Sequence, residues 1–175
     1  MFVVAQAIIM SFIPYFLRRY FNIYTPFPLR VGIVLFVCST LVLGEVVDFY
    51  NTFWWWDLVL HGVASASVTL IVFICLLIFF TRIDLRSAAL FTTFLAVGTS
   101  LAVAVVWEIY EFMIDFYFET DTPMQPSNTD TMTDLIISVV GAVLVGFYGY
   151  KHIKWRDGGW LGRIIHEGAK KNSSS

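Results

Sequence analysis

Apolar residues dominate the chain, and the polar ones among them recur at intervals of three and four rather than in alternation. That periodicity belongs to helices, and a helix that crosses a bilayer needs about 20 mostly apolar residues. Five segments qualify in outline. Residues 2–17 are apolar but short and interrupted by Pro14. Residues 31–44 continue, with acidic residues at helical spacing, to Tyr50. Residues 62–81 form an uncharged run preceded by the helix-compatible 57–61. Residues 87–107 form a second uncharged run, with helical periodicity to about Phe118. Residues 135–150 are the last, with 130–134 as the first turn. The pattern predicts an all-α, polytopic membrane bundle of about five transmembrane helices, the first of which spans or lies in the interface. Residues 1–150 make one transmembrane domain and 151–175 a basic juxtamembrane tail.

The connections orient it. Arg18, Arg19 and Arg30 follow the first segment, Arg82 and Arg86 the third, and Lys151, Lys154, Arg156, Arg163, Lys170 and Lys171 the fifth. All 11 basic residues thus fall in alternate connections, while 51–56 and 119–129 hold none. Cytoplasmic loops collect Lys and Arg, so the N-terminus is expected outside and the C-terminus inside. No positive n-region of a signal peptide precedes the first segment, which is expected to be retained. Trp54, Trp55 and Trp56 then mark the outer interface and Trp155 and Trp160 the inner one, the level that indole rings favour.

Composition agrees. The chain has 175 residues, 58% hydrophobic and 14% charged, against about 25% charged in soluble domains. A net charge of −2 gives no footprint for nucleic acid, and two cysteines, Cys38 and Cys75, make no disulfide framework. Both sit in apolar runs and read as inert core residues. The expected location is the plasma membrane.

The acids change the picture. Of 13 Asp and Glu residues, ten lie on the expected outer side: Glu45, Asp48, Asp57, Glu108, Glu111, Asp115, Glu119, Asp121, Asp130 and Asp134. The basic-type side chain among them is His61. Carboxylates in or near lipid are costly unless paired, protonated or bound to a cation. Residues three and four apart share a helix face, so Glu45 with Asp48, Asp57 with His61 and Ser65, Glu108 with Glu111 and Asp115, and Asp130 with Asp134 each make a polar stripe. Glu108 lies roughly 30 Å above Ser87 at 1.5 Å per residue, which is the outer boundary. Oxygen donors suit Mg²⁺, Mn²⁺ or Ca²⁺, and an imidazole adds Zn²⁺ or Fe²⁺. The expected ligands are Asp57, His61, Glu108, Glu111, Asp115, Asp130 and Asp134, with His61, Asp134 and Glu108 the catalytic candidates; no organic cofactor is expected. Asp130 also suits an N-cap of the last helix. Small residues at four-residue spacing, Gly98 with Ala102 and Ser138 with Ala142 and Gly146, are expected to pack helices within the chain.

At these residues the chain resembles a known family. Residues 54–62 (WWWDLVLHG), 107–112 (WEIYEF), Met124-Gln125, and 130–135 (DTMTDL) leading to Gly141-Ala142 resemble the YjdF-type membrane proteins and, more distantly, the VanZ-like family, known for low-level glycopeptide resistance. The shared features are Asp-x-x-x-His near the start of one helix, a Glu at the outer end of the next, and an Asp-rich start to a Gly-Ala helix. The likeness covers about residues 54–149. Pro126-Ser127-Asn128 replaces a loop in which relatives often have glycine, and Thr133 stands where they usually have tryptophan. The resemblance implies the three-helix constellation and no particular reaction.

Three functions stay open on the sequence. The first is a metal-dependent enzyme acting on a lipid or polyprenyl phosphate at the outer leaflet, with His61 as general acid or base. The second is a cation or proton transporter. The third is a structural or interaction subunit that meets a membrane-protein partner. In all three the lipid bilayer is the constant partner.

Overall fold

The computed structural model describes residues 12, 14–16, 18–20, 27–79, 87–118 and 127–155. Its helices include, in chain order, α1 (Phe27–Cys38), α2 (Phe49–Thr52), α3 (Trp56–Phe79), α4 (Ala89–Phe118) and α5 (Asn128–Trp155), with a π-helical segment, Ser39–Val46, between α1 and α2. Within them Trp56–Leu77, Ala89–Phe118 and Asn128–Trp155 are long and apolar enough to cross a membrane. At 1.5 Å per residue, 28 residues of α5 reach roughly 42 Å, longer than a hydrocarbon core of about 30 Å.

Three spans among the described residues replace the expected five. The first expected helix, 2–17, lies largely outside those residues. The second is divided, because after twelve α-helical residues the winding opens at Ser39 into eight π-helical ones. The Thr40 hydroxyl donates to the Val37 carbonyl at 3.0 Å, and the Val47 N–H reaches five residues back to Val42. Asp48 then takes a left-handed conformation, φ 64°, which Asp tolerates better than most side chains, and the helix ends. The last helix runs beyond the expected boundary at 150, with His152 and Lys154 in its final turn, where cations suit the dipole. Residues 156–175 lie outside the described residues.

The N-cap of α5 is Ser127, not Asp130. Its hydroxyl accepts the Asp130 backbone N–H at 3.2 Å, the Ser-x-x-Asp pattern in which the cap stands three residues earlier. Asp130 is thereby freed to project from the first turn.

Helices α3, α4 and α5 pack against one another pairwise. Each buries one stripe with a period near four: Leu60, His61, Ser65, Thr69 and Phe73 on α3; Ala89, Thr92, Ala96, Ser100, Ala104, Glu108 and Glu111 on α4; Asp134, Ser138, Ala142, Gly146 and Gly149 on α5. The outward faces carry Val103, Val106, Ile109, Phe112, Ile136, Val143 and Phe147, an apolar surface far larger than water tolerates and suited to lipid. In lipid no hydrophobic force draws helices together, so small side chains and interhelical hydrogen bonds must do it. At the closest approach of α3 and α5, a Cβ at Gly141 would collide with the Gly62 carbonyl oxygen and lie 3.1 Å from its carbon. Ser100 donates to the Ser65 carbonyl at 2.8 Å and ties α4 to α3. Toward the other end Phe73 fills the interior against Ala89, Ala96 and Ile153, its ring lying where a Cβ on Gly149 would be.

Ser138, Ala142 and Gly146 are buried as expected for packing within the chain, but Gly98 and Ala102 lie on the exposed face and take no part in it. Cys38 is likewise exposed, not core, because its helix leaves that side uncovered, and Cys75 is half-buried.

Gly141→Ala is expected to cost about 1–3 kcal/mol by overpacking, since the group in its way is backbone. Gly98→Ala, with nothing within 4 Å, should be neutral or slightly stabilising. Thermal denaturation of both variants in detergent, followed by circular dichroism, checks the contrast.

Candidate functional site

The polar ends of the three stripes meet at the start of α3. Asp57 occupies the first turn of that helix, where a carboxylate is favoured by the dipole, and His61 follows one turn later. His61 is 8% exposed, and its ring stands between carboxylates of two helices. Its Nε2 lies 3.7 Å from Asp57 Oδ1, and its Nδ1 lies 3.5 Å from Glu108 Oε1 of α4. Asp134 of α5 completes one triad with Asp57 and His61, and Glu111 completes a second with His61 and Glu108. Within each triad one ligand atom per residue lies within 4.8 Å of the others.

Burial is uneven. Glu108, Glu111 and Asp134 are all buried, whereas a third of the Asp57 side chain remains accessible. Among the described residues both ion pairs of the cluster run to His61, with neither Lys nor Arg in them. Arg30 begins α1, and Lys151 and Lys154 end α5, far along the bundle from Asp134. Four carboxyl groups from three helices are therefore gathered around one imidazole ring.

The other expected ligands fall outside the two triads. Asp130 is half-buried in the first turn of α5, within electrostatic reach of Asp57 and His61. Asp115 is half-buried one turn beyond Glu111. Glu45 and Asp48 are exposed, and Asp48 serves its own turn by accepting from Asn51 Nδ2 at 2.6 Å and from the Thr52 hydroxyl at 2.8 Å. Glu119 and Asp121 lie outside the described residues.

Three participants escaped the sequence reading. Trp107 donates a hydrogen bond to Glu111, one turn further along α4. Ser138 lies buried one turn below Asp134, and its hydroxyl has no hydrogen-bond partner; nor has Asp134 Oδ1. Tyr50 is the third. Its ring folds back onto Gly44 of the π-helical segment, where a Cβ would meet it. The phenol is held above its ordinary pKa, first by burial and then by the charges of Asp57, Glu45 and Glu111, so it remains a proton donor beside the cluster. Phe49, stacked edge-on against Phe53 and Trp56 with centroids 4.9 and 5.0 Å away, pins this short helix to the start of α3. The Trp107–Glu111 spacing is visible in sequence, whereas Tyr50 is brought in by a change of winding that periodicity does not announce.

Thiols placed at positions 57 and 134 of a Cys38→Ser, Cys75→Ser chain should be bridged by Cd²⁺, seen as protection of both from alkylation by mass spectrometry. Thiols at 57 and 115 should remain reactive. Alkylation of the 57/134 pair in the presence of Cd²⁺ would mean that α3 and α5 do not meet there.

No curated protein and no solved structure matches the chain. Residues 1–155 match the family model described as "Predicted membrane protein (DUF2238)". With nearly the whole helical region covered, the chain belongs to the DUF2238 family of predicted membrane proteins.

Proposed function

We propose that the cluster around His61 binds a divalent cation and that the protein is a metal-dependent enzyme acting on the phosphate of a lipid or polyprenyl phosphate. The observation that carries this reading is the convergence of Asp57, Glu108, Glu111 and Asp134 on one buried imidazole, with no Lys or Arg in the ion pairs among the described residues. Several carboxylates in so confined a space repel one another and lose hydration, and a cation relieves both penalties. A Mg²⁺-, Mn²⁺- or Zn²⁺-type ion would supply the positive charge that phosphate oxygens require and that, among the described residues, no Lys or Arg brings to the cluster's ion pairs. His61 helps to hold the ion, and Tyr50 offers a neutral hydroxyl donor at the rim. The one partly accessible carboxylate, Asp57, gives the site its opening.

The orientation is part of the proposal. Basic residues in alternate connections favour the cluster end facing outward across a plasma membrane, with Lys151 and Lys154 at the cytoplasmic end. The opening then lies at the headgroup level of the outer leaflet, where a phosphate on a lipid is presented. Transport through the three-helix interior has less support, because buried Phe73 packed on Ala89, Ala96 and Ile153 closes the polar column beneath the site.

Elemental analysis of protein purified in mild detergent should find about one divalent ion per chain, lost in His61→Ala. Phosphate release from polyprenyl phosphates or phosphatidic acid in mixed micelles should require that ion and fall at least 100-fold in Asp134→Asn. Metal binding without turnover on any phospholipid or polyprenyl phosphate would overturn the enzymatic reading. Absence of bound metal after addition of Mg²⁺, Mn²⁺, Ca²⁺ and Zn²⁺ would overturn the metal site itself.

A further inference from the structure

The two triads share His61, and imidazole chemistry does not let both use it at once. A neutral imidazole carries one lone pair for a cation and one N–H to donate. Nε2 faces Asp57, which with Asp134 completes the first triad, so a cation held there through Nε2 leaves Nδ1 on the Glu108 side. Nδ1 faces Glu108, which with Glu111 completes the second triad, so a cation held there through Nδ1 leaves Nε2 on the Asp57 side. The rest of the site separates these alternatives.

Asp134 is 1% exposed and its Oδ1 has no hydrogen-bond partner. On the other side Glu111 already accepts the Trp107 indole N–H. A cation between Asp57, His61 and Asp134 therefore neutralises Asp57 and Asp134, keeps His61 Nδ1 3.5 Å from Glu108 Oε1, and leaves Glu111 with Trp107. A cation between Glu108 and Glu111 instead leaves Asp134 Oδ1 buried without a counter-ion, a costly state for a carboxylate. Access points the same way, because Asp57 is a third exposed while the Glu108 side chain is 5% exposed. An ion that keeps a position open for a ligand needs the accessible side.

We propose that Asp57, His61 through Nε2, and Asp134 are the metal ligands, and that Glu108 is a positioning residue that holds the His61 tautomer from behind. The inference rests on the metal-binding reading above and assigns its ligand set. Metal-bound histidines characteristically donate their second N–H to a carboxylate, which fixes the ring and raises its basicity.

The test uses the full chain in detergent with Co²⁺ and Zn²⁺ as probes. Asp57→Asn and Asp134→Asn should abolish the visible absorption of bound Co²⁺ or shift its bands. Glu108→Gln keeps an oxygen acceptor for Nδ1–H, so its bands should remain in place while affinity drops about 10–100-fold. Glu111→Gln should keep the wild-type bands. Loss of Co²⁺ binding or shifted bands in Glu108→Gln or Glu111→Gln, with wild-type spectra in Asp134→Asn, would overturn the assignment and leave the metal site standing. In the wild-type chain, ¹⁵N NMR of labelled histidine in the Zn²⁺ form should show a metallated Nε2 and a protonated Nδ1. The opposite tautomer would overturn the proposal without dependence on any variant. Failure of wild-type protein to bind either ion would remove the metal reading and this assignment together.

Discussion

Gly141 rests against the carbonyl of Gly62, and the architecture of the polar site follows from that backbone approach. No side chain fits between α3 and α5 at this level. The helices are therefore close enough for Asp57 and His61, just above Gly62, to meet Asp134, nearly two turns before Gly141. The third helix is drawn in by the Ser100 hydroxyl on the Ser65 carbonyl, which sets Glu108 two turns further along at the height of His61. In lipid such close contacts replace the hydrophobic driving force that holds soluble bundles together.

A bundle built this way is apolar outside and polar within at one end. Its buried residues include His61, Ser65, Thr69, Ser100, Glu108, Glu111, Asp134 and Ser138, while valine, isoleucine and phenylalanine face outward. The hydroxyls below the site are satisfied by backbone carbonyls where possible, as in Thr69 on Ser65 at 2.9 Å. The carboxylates have no such outlet, because a carboxylate accepts but cannot donate. A ring with two nitrogens, one toward Asp57 and one toward Glu108, is the protein's own answer to part of that charge. The remainder calls for protons or a cation, and the proposals above follow from that deficit.

The approach to the site is built by irregular structure. The π-helical turn, the left-handed Asp48 and the four-residue α2 carry Tyr50 back over Gly44 and toward the acids. Departures of this kind from regular winding recur at functional sites, where they re-aim a side chain that a straight helix would send elsewhere.

The sequence by itself determined that the protein is helical and belongs in a membrane, since long uncharged runs admit few other structures. It also placed Asp57 with His61, and Glu108 with Glu111, on common faces, because spacing within one helix is local geometry. The burial of Ser138, Ala142 and Gly146 along α5 follows from the same periodicity. What it could not determine was which nitrogen of His61 faces which acid, that Asp115 stands apart from the triads, or that Glu45 and Asp48 are exposed. The first two depend on helix rotation and crossing distance, which Gly62, Gly141 and Ser100 impose only once three helices are together, and the last on the change of winding after Cys38. The second expected helix shows the same limit from the other side: its hydrophobic pattern continues through Ser39, while its hydrogen bonds change register there. Periodicity records which residues prefer lipid or interior, and only tertiary packing decides which of them touch.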